Sequence, residues 1–391
     1  MNAALDESVL DSADRLGEAD RAGLLRGLAT AGAQVRESLA LTAEADLAGQ
    51  LARLRPRAVL LAADAADPAA DDAAESLRAL ASRADAAAPV MRHDGPGPPL
   101  WAGATDVVLA VAQSPAEPAV PALADAAARR GLPVLGVGTT GSPLEAACGR
   151  NRMPFVGLPS GRHPRVALWG LLTPLLVAAG ELGLLGRPAE PGPEAAGPAA
   201  PAGPYSVEAD LAAAADLLDV LAERARPTSE TFLNPAKSLA LDLGASLPVL
   251  WGTSPVAGAA ARRLAGQLAG VARHPAVWET LPGAAQRLGG LLTAPAGSAE
   301  DDLFRDRVDD PEPMRPRLVL VRDANEPVDV RRLVEDGAAL AGRGGVPVTE
   351  VTAEEGGGPL GRFASLVGLL DFTAVYVGLA SGADPAGKEN P

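Results

Sequence analysis

Short apolar runs alternate with longer amphipathic stretches along this chain, and their spacing sets the expected order of elements. Residues 1–53 carry apolar positions three or four apart, which predicts helix, with Asp11 or Ser12 placed to cap an early one. The runs over 58–62, 88–91, 105–112 and 134–137 read as strands, and 155–158 reads as an edge strand. Between them lie Ala-rich helical stretches, and Ser142 opens a short capped helix over 142–149. Strands alternating with helices predict a parallel sheet with helices on both faces.

The segment 187–204, RPAEPGPEAAGPAAPAGP, has no helical or strand period and predicts an extended linker or flexible excursion. Helical pattern resumes after Tyr205, with Ser206 as the expected N-cap. The second half then repeats the plan. Strands are expected at 247–251, 318–321 and 346–351, with helices over 256–271, after 327 and at the chain's end. The domains expected are 1–186 and 205–391, joined by 187–204, an internal duplication without recognisable sequence repetition. The stretch 247–286 is the most informative. A buried strand enters a Gly/Thr/Ser/Pro turn and then a helix, whose unpaired N-terminal N–H groups suit a phosphate.

Composition narrows the chemistry. The 391 residues are 48% hydrophobic but only 3% aromatic, so Ala, Leu and Val build the cores. A net charge of −15 disfavours nucleic acid and anionic membranes as partners. The single Cys148 allows neither an internal disulfide nor a multi-cysteine metal site, and His93, His163 and His274 are scattered, so no metal or cofactor is expected. The acidic run 299–312 matches no calcium loop. The polar N-terminus is no signal peptide, and the apolar run 166–180 holds Pro174 and is short for a membrane span, so a cytoplasmic protein is expected.

Several segments carry a family likeness: Asn234-Pro-Ala-Lys237-Ser-Leu-Ala240, Pro248-Val-Leu-Trp-Gly252, Gln267-Leu268, Ala272-Arg-His-Pro-Ala276, Leu281-Pro282, Phe304-Arg-Asp-Arg-Val308 and Leu370-Asp-Phe-Thr-Ala-Val-Tyr376. Weaker matches lie in the first half, at Thr105–Val111, Ala128–Gly138 and Pro164–Gly170. Together they resemble the archaeal and bacterial bifunctional phosphoglucose/phosphomannose isomerases, built from two sugar-isomerase (SIS) domains. The resemblance implies an α/β protein of two doubly wound parallel-sheet domains, a sugar-phosphate ligand and a homodimer whose site lies between domains and subunits. It implies substrate contacts at Ser114, Arg165, Gln286 and Thr373, while Thr253 and Ser254, in the turn before a helix, either bind the anion as well or merely cap that helix.

The departures from the family pattern concern the chemistry. The phosphate turn is here Ala112-Gln-Ser-Pro-Ala-Glu-Pro118. Pro115 and Pro118 each remove an N–H donor, and Glu117 adds a repelling charge. The Gly-rich loop after the first strand is Ala62-Ala-Asp-Ala-Ala-Asp67, where Asp64 and Asp67 also disfavour an anion. The family's proton-transferring glutamate aligns with Gly270 and its ring-opening histidine with Gln286. Losing such an acid/base group costs about 10²–10⁴-fold. Two readings follow: a degenerate SIS protein that binds a carbohydrate derivative, or an active isomerase with relocated groups, for which Glu279 and His274 are the candidates. A purely structural role is a third.

Overall fold

The computed structural model describes residues 5–51, 53–82, 86–116, 118–185, 207–293 and 314–383. The expected linker 187–204, the Ser206 cap, Glu117 and the acidic run 299–312 lie outside them. Chain contacts divide the protein into two compact units. One comprises the described residues of Met1–Ala29, Leu218–Gly356 and Arg362–Pro391; the other comprises Thr30–Leu217 and Gly357–Gly361.

In the Thr30–Leu217 unit, five strands pair in parallel in the order β2-β1-β3-β4-β5. They are β1 (Val59–Ala62), β2 (Val90–Arg92), β3 (Val107–Ala112), β4 (Val134–Thr139) and β5 (Phe155–Leu158), the last at the edge as expected. Register places Val59 beside Val107 and Val108 beside Val134. β1 and β3 are buried along their whole length, which explains their unbroken apolar runs. The sheet is covered by α4 (Ala31–Glu44), α6 (Pro68–Leu80), α7 (Ala119–Arg129), α8 (Pro143–Asn151) and α9 (Leu168–Glu181). α9 is buried from Leu168 to Ala179 with Pro174 inside it, so the run 166–180 is a core helix. Ser142 caps α8 by accepting from the Glu145 N–H.

The other unit has four parallel strands in the order β7-β6-β8-β9. They are β6 (Ser246–Gly252), β7 (Val277–Thr280), β8 (Arg315–Arg322) and β9 (Val348–Thr352). The sequence pattern did not announce β7, because none of its four residues is buried, Trp278 being exposed, and they come just after a His-Pro pair. Around this sheet lie α11 (Pro235–Gly244), α12 (Pro255–Ala272), α13 (Gly283–Arg287), α14 (Val328–Arg343) and α15 (Gly358–Ala380). α15 is the one described helix long and apolar enough to cross a membrane, but 94% of its apolar window is buried in the protein.

Residues 1–53 are not one regular helical run. The described part breaks into α1 (Glu7–Leu10), α2 (Ala13–Ala19), α3 (Leu24–Ala29), α4 and α5 (Leu47–Leu51). Ser12 caps α2, while the Asp11 carboxylate instead accepts from the Thr231 hydroxyl and N–H. The first domain expected over 1–186 also differs from the observed division, because α1 to α3 pack with the second half. The Lys237 ammonium donates to the Leu10 carbonyl at 2.5 Å, and the Asp6 N–H donates to the Ala380 carbonyl at 2.9 Å. α10 (Val207–Arg224) spans the boundary between the two units.

Close packing at the start of α12 depends on two glycines. A Cβ on Gly252 would sit 2.5 Å from the Gly258 backbone, and one on Gly258 would sit 2.1 Å from the Thr280 hydroxyl. The helix therefore leaves the carboxyl end of β6 directly against the sheet.

Candidate functional site

In each sheet the strand order reverses at one point. β1 runs through α6 to β2 on one side, while β3 runs through α7 to β4 on the other. The corresponding pair in the second sheet is β6 and β8. An open α/β sheet takes its ligand in the crevice outside the carboxyl ends of such a pair.

At the β1/β3 point the crevice is bridged by Asp67, only 2% exposed. Asp67 precedes Pro68 and caps α6, its Oδ1 accepting from the Ala70 N–H at 3.2 Å. Its Oδ2 accepts from two successive backbone N–H groups after β3, those of Gln113 at 2.6 Å and Ser114 at 2.7 Å. The loop is tied down further. The Gln113 amide donates to the Arg162 carbonyl at 2.8 Å, and the Thr139 hydroxyl donates to the Gln113 carbonyl at 3.1 Å. Beside it, a cavity of about 130 Å³ is lined by Asp64, His93 and Asp94 among alanines and the start of α7. No Arg or Lys lines it directly, but Arg92 stands against its wall, donating to the Ala63 carbonyl at 2.8 Å and to the Asp94 carboxylate at 3.1 Å. The His93 Nε2 lies 2.7 Å from the Gly97 carbonyl.

At the β6/β8 point an aspartate again spans the gap, from the opposite strand. Asp323 follows β8, and its Oδ2 accepts from the Ser254 hydroxyl at 2.8 Å. Its N–H donates to the Thr253 hydroxyl at 2.9 Å. Ser254 also caps α12, accepting from the Ala257 N–H at 3.1 Å. Here the carboxylate has a counter-charge, since the Arg362 Nε lies 2.5 Å from the Asp323 Oδ1. Asp323 and Arg362 side chains are 5% and 12% exposed. Thus Thr253 and Ser254 stand at a crevice mouth, with Asp323 and Arg362 as neighbours that the sequence reading missed. An aspartate two residues past a buried strand was the available signal.

The remaining expected residues are dispersed. Ser114 stands at the first crevice, its N–H given to Asp67 and its hydroxyl accepting from the Ala116 N–H at 3.3 Å. Arg165 lies in a short 3-10 turn (Pro164–Val166) after β5, half-buried, its N–H donating to the His163 Nδ1 at 3.2 Å. Thr373 is fully buried in α15, and its hydroxyl donates to the Leu369 carbonyl one turn back at 2.9 Å. Gln286 is exposed on α13, and Gly270 is exposed in the last turn of α12.

Both relocation candidates are held by neighbouring groups. His274 is buried, its Nε2 2.8 Å from the Ser246 carbonyl, and burial holds its pKa below the ordinary 6.5. Glu279 ends β7 with Oε1 accepting from the Thr280 N–H at 2.9 Å and Oε2 paired with Arg287. Cys148 is buried, which pushes its thiol up to about 12, outside the range of a nucleophile at neutral pH. Among the described residues no group of three or more His, Cys, Asp or Glu could hold a metal ion. A buried ion pair, Arg263 with Asp371, joins α12 to α15 through contacts of 2.8 Å at each end of the fork.

Comparison with known proteins agrees with this architecture. Residues 232–390 match the family described as the bacterial phosphoglucose isomerase C-terminal SIS domain. The chain consists of two SIS-type domains. A proposed phosphosugar isomerase from Clostridium difficile 630 is similar over 94% of this chain and 95% of its own, with a TM-score of 0.65 and 8% identity. A proposed phosphosugar isomerase from Silicibacter pomeroyi DSS-3 covers 93% of this chain and 99% of its own, at a TM-score of 0.57 and 17% identity. The C-terminal domain of glucosamine-fructose-6-phosphate aminotransferase from Francisella tularensis covers 92% and 96%, at 0.60 and 10%. At such identities the likeness establishes the SIS fold. No curated protein sequence matches the chain significantly.

Proposed function

We propose that this protein is a catalytically degenerate SIS protein. It binds a sugar phosphate or a related carbohydrate derivative at the turn after β6 and does not interconvert aldose and ketose. The observation that carries this reading is the state of the proton-transfer groups. Isomerisation needs a base that can take and return a proton between two carbons. The aligned positions hold Gly270 and Gln286, neither of which exchanges a proton near neutral pH. Glu279 has both oxygens engaged, and His274 is turned to the backbone.

Ligand binding is supported separately. The turn after β6 places Thr253 and Ser254 at the start of an 18-residue helix, the Ser254 hydroxyl held by Asp323 and that carboxylate offset by Arg362, so a phosphate would take the Ser254 hydroxyl from Asp323. Phosphosugars are the ligand class suggested by the names of the similar structures. A cytoplasmic homodimer with a regulatory role belongs to the same reading.

A coupled assay for fructose-6-phosphate formation tests it, with glucose-6-phosphate and mannose-6-phosphate as substrates at high protein concentration. No turnover is expected, together with a rise in melting temperature as sugar phosphate is added. Turnover above about 1 s⁻¹, within the ordinary enzyme range, would refute the degenerate reading.

A further inference from the structure

The geometry at the β1/β3 crevice points to an internal anion. A helix cap alone needs one oxygen, and a serine would supply it. Asp67 uses Oδ1 for that purpose and sends Oδ2 across the crevice to two successive N–H groups. Adjacent backbone N–H groups converging on one oxygen form the kind of concavity that takes a phosphate oxygen. Pro115 and Pro118 have no N–H to offer, so Gln113 and Ser114 are prominent donors of this loop. Both are occupied by a carboxylate that is 2% exposed.

We propose that Asp67 acts as a built-in substitute for a phosphate. Its carboxylate fills the anion seat of the Thr30–Leu217 unit, bars phosphorylated ligands from that crevice and leaves the turn after β6 as the place for them. The last clause rests on the reading given under Proposed function; the occupancy of the seat does not. The two crevices are not equivalent in this respect. Asp323 spans its crevice through side-chain hydroxyls and is balanced by Arg362, whereas Asp67 sits on backbone donors.

The test counts phosphate sites on the full chain by isothermal titration with inorganic phosphate, comparing the unaltered protein with Asp67→Ser. The serine hydroxyl can still cap α6, while the Gln113 and Ser114 N–H groups lose their acceptor. The expected result is one additional phosphate site per chain in Asp67→Ser. Amide exchange at Gln113 and Ser114 should be slow in the unaltered protein, faster in the variant, and slow again in the variant with phosphate. A folded variant with an unchanged number of sites would overturn the proposal. So would phosphate protection of those two amides in the unaltered protein. If circular dichroism shows that Asp67→Ser does not fold, Asp67→Thr, whose hydroxyl also caps a helix and whose side chain is too short to fill the seat, is read by the same outcomes. The isomerase assay is independent of this count. Turnover would sink the degenerate reading alone, and an unchanged site count would sink the role of Asp67 alone.

Discussion

Lys237 is wholly buried, yet its ammonium has as many acceptors as protons. It donates to the carbonyls of Leu10 at 2.5 Å and of Pro227 and Ser229 at 2.7 Å each, and lies 5.6 Å from the Tyr376 ring centroid. Burial lowers its pKa, but the contacts are those of a tie between the N-terminal helices and α11. Lys237→Met keeps the stem and removes the donors, stranding buried carbonyls. Denaturant unfolding should show a loss of about 2 kcal/mol or more. His274 gives a pH signature of the opposite kind from a salt-bridged histidine. Its folded pKa is below 6.5, so the unfolded chain takes up the proton first. Stability from this group is present above pH 6.5 and falls as the pH drops below it. Melting temperatures at pH 7.5 and 5.5 should converge in His274→Gln relative to the unaltered protein. An unchanged gap would place the acid sensitivity elsewhere.

At the scale of elements, glycines decide how closely helices approach the sheets. Gly337 in α14 faces Trp251 of β6, which is 1% exposed. A Cβ there would stand 2.3 Å from the indole ring. The added methyl must displace the buried indole, so Gly337→Ala should cost about 1–3 kcal/mol despite the better helix propensity of alanine. A thermal melt that shows no loss would mean the indole can shift. Loops are fixed as firmly by arginine. Arg130 donates to the carbonyls of Pro98, Pro99, Leu100 and Ala102, so the exposed Leu100 and Trp101 are carried on a braced segment. Four helix starts share one local signal, which the sequence reading used as a cap only at Ser142 and left open at Ser254. Asp67-Pro68, Ser142-Pro143, Asn234-Pro235 and Ser254-Pro255 all pair a capping side chain with a first-turn proline, and all four open helices.

At the scale of the whole molecule, the same plan occurs twice with the same closure reached from opposite strands. Asp67 belongs to the first strand of its reversal pair and Asp323 to the second. That symmetry of position without symmetry of sequence explains why no repeat was recognisable. It also explains why the candidate site was only half legible. Ser114, Thr253 and Ser254 were singled out because turns announce themselves through Ser, Thr, Gly and Pro, and the structure places them after β3 and β6. Asp323 and Arg362 were missed because nothing local marks two charges, far apart in the chain, as partners. Asp67 was read as a charge that repels anions; its tertiary role is to occupy their seat.

The sequence alone determined the parallel α/β class, most of the strands, the capped helix starts and the lack of an acid/base residue at Gly270 and Gln286. These are properties of local pattern: periodicity, capping chemistry and side-chain type. Only the tertiary structure decided that β7 is a strand, that the N-terminal helices pack with the second half, and that each crevice is spanned by a buried aspartate. Those features depend on contacts across long sequence separations, such as the 227 residues between Lys237 and the Leu10 carbonyl. No window of neighbouring residues encodes them, because a buried polar group chooses its partner from whatever the completed fold brings within hydrogen-bond reach.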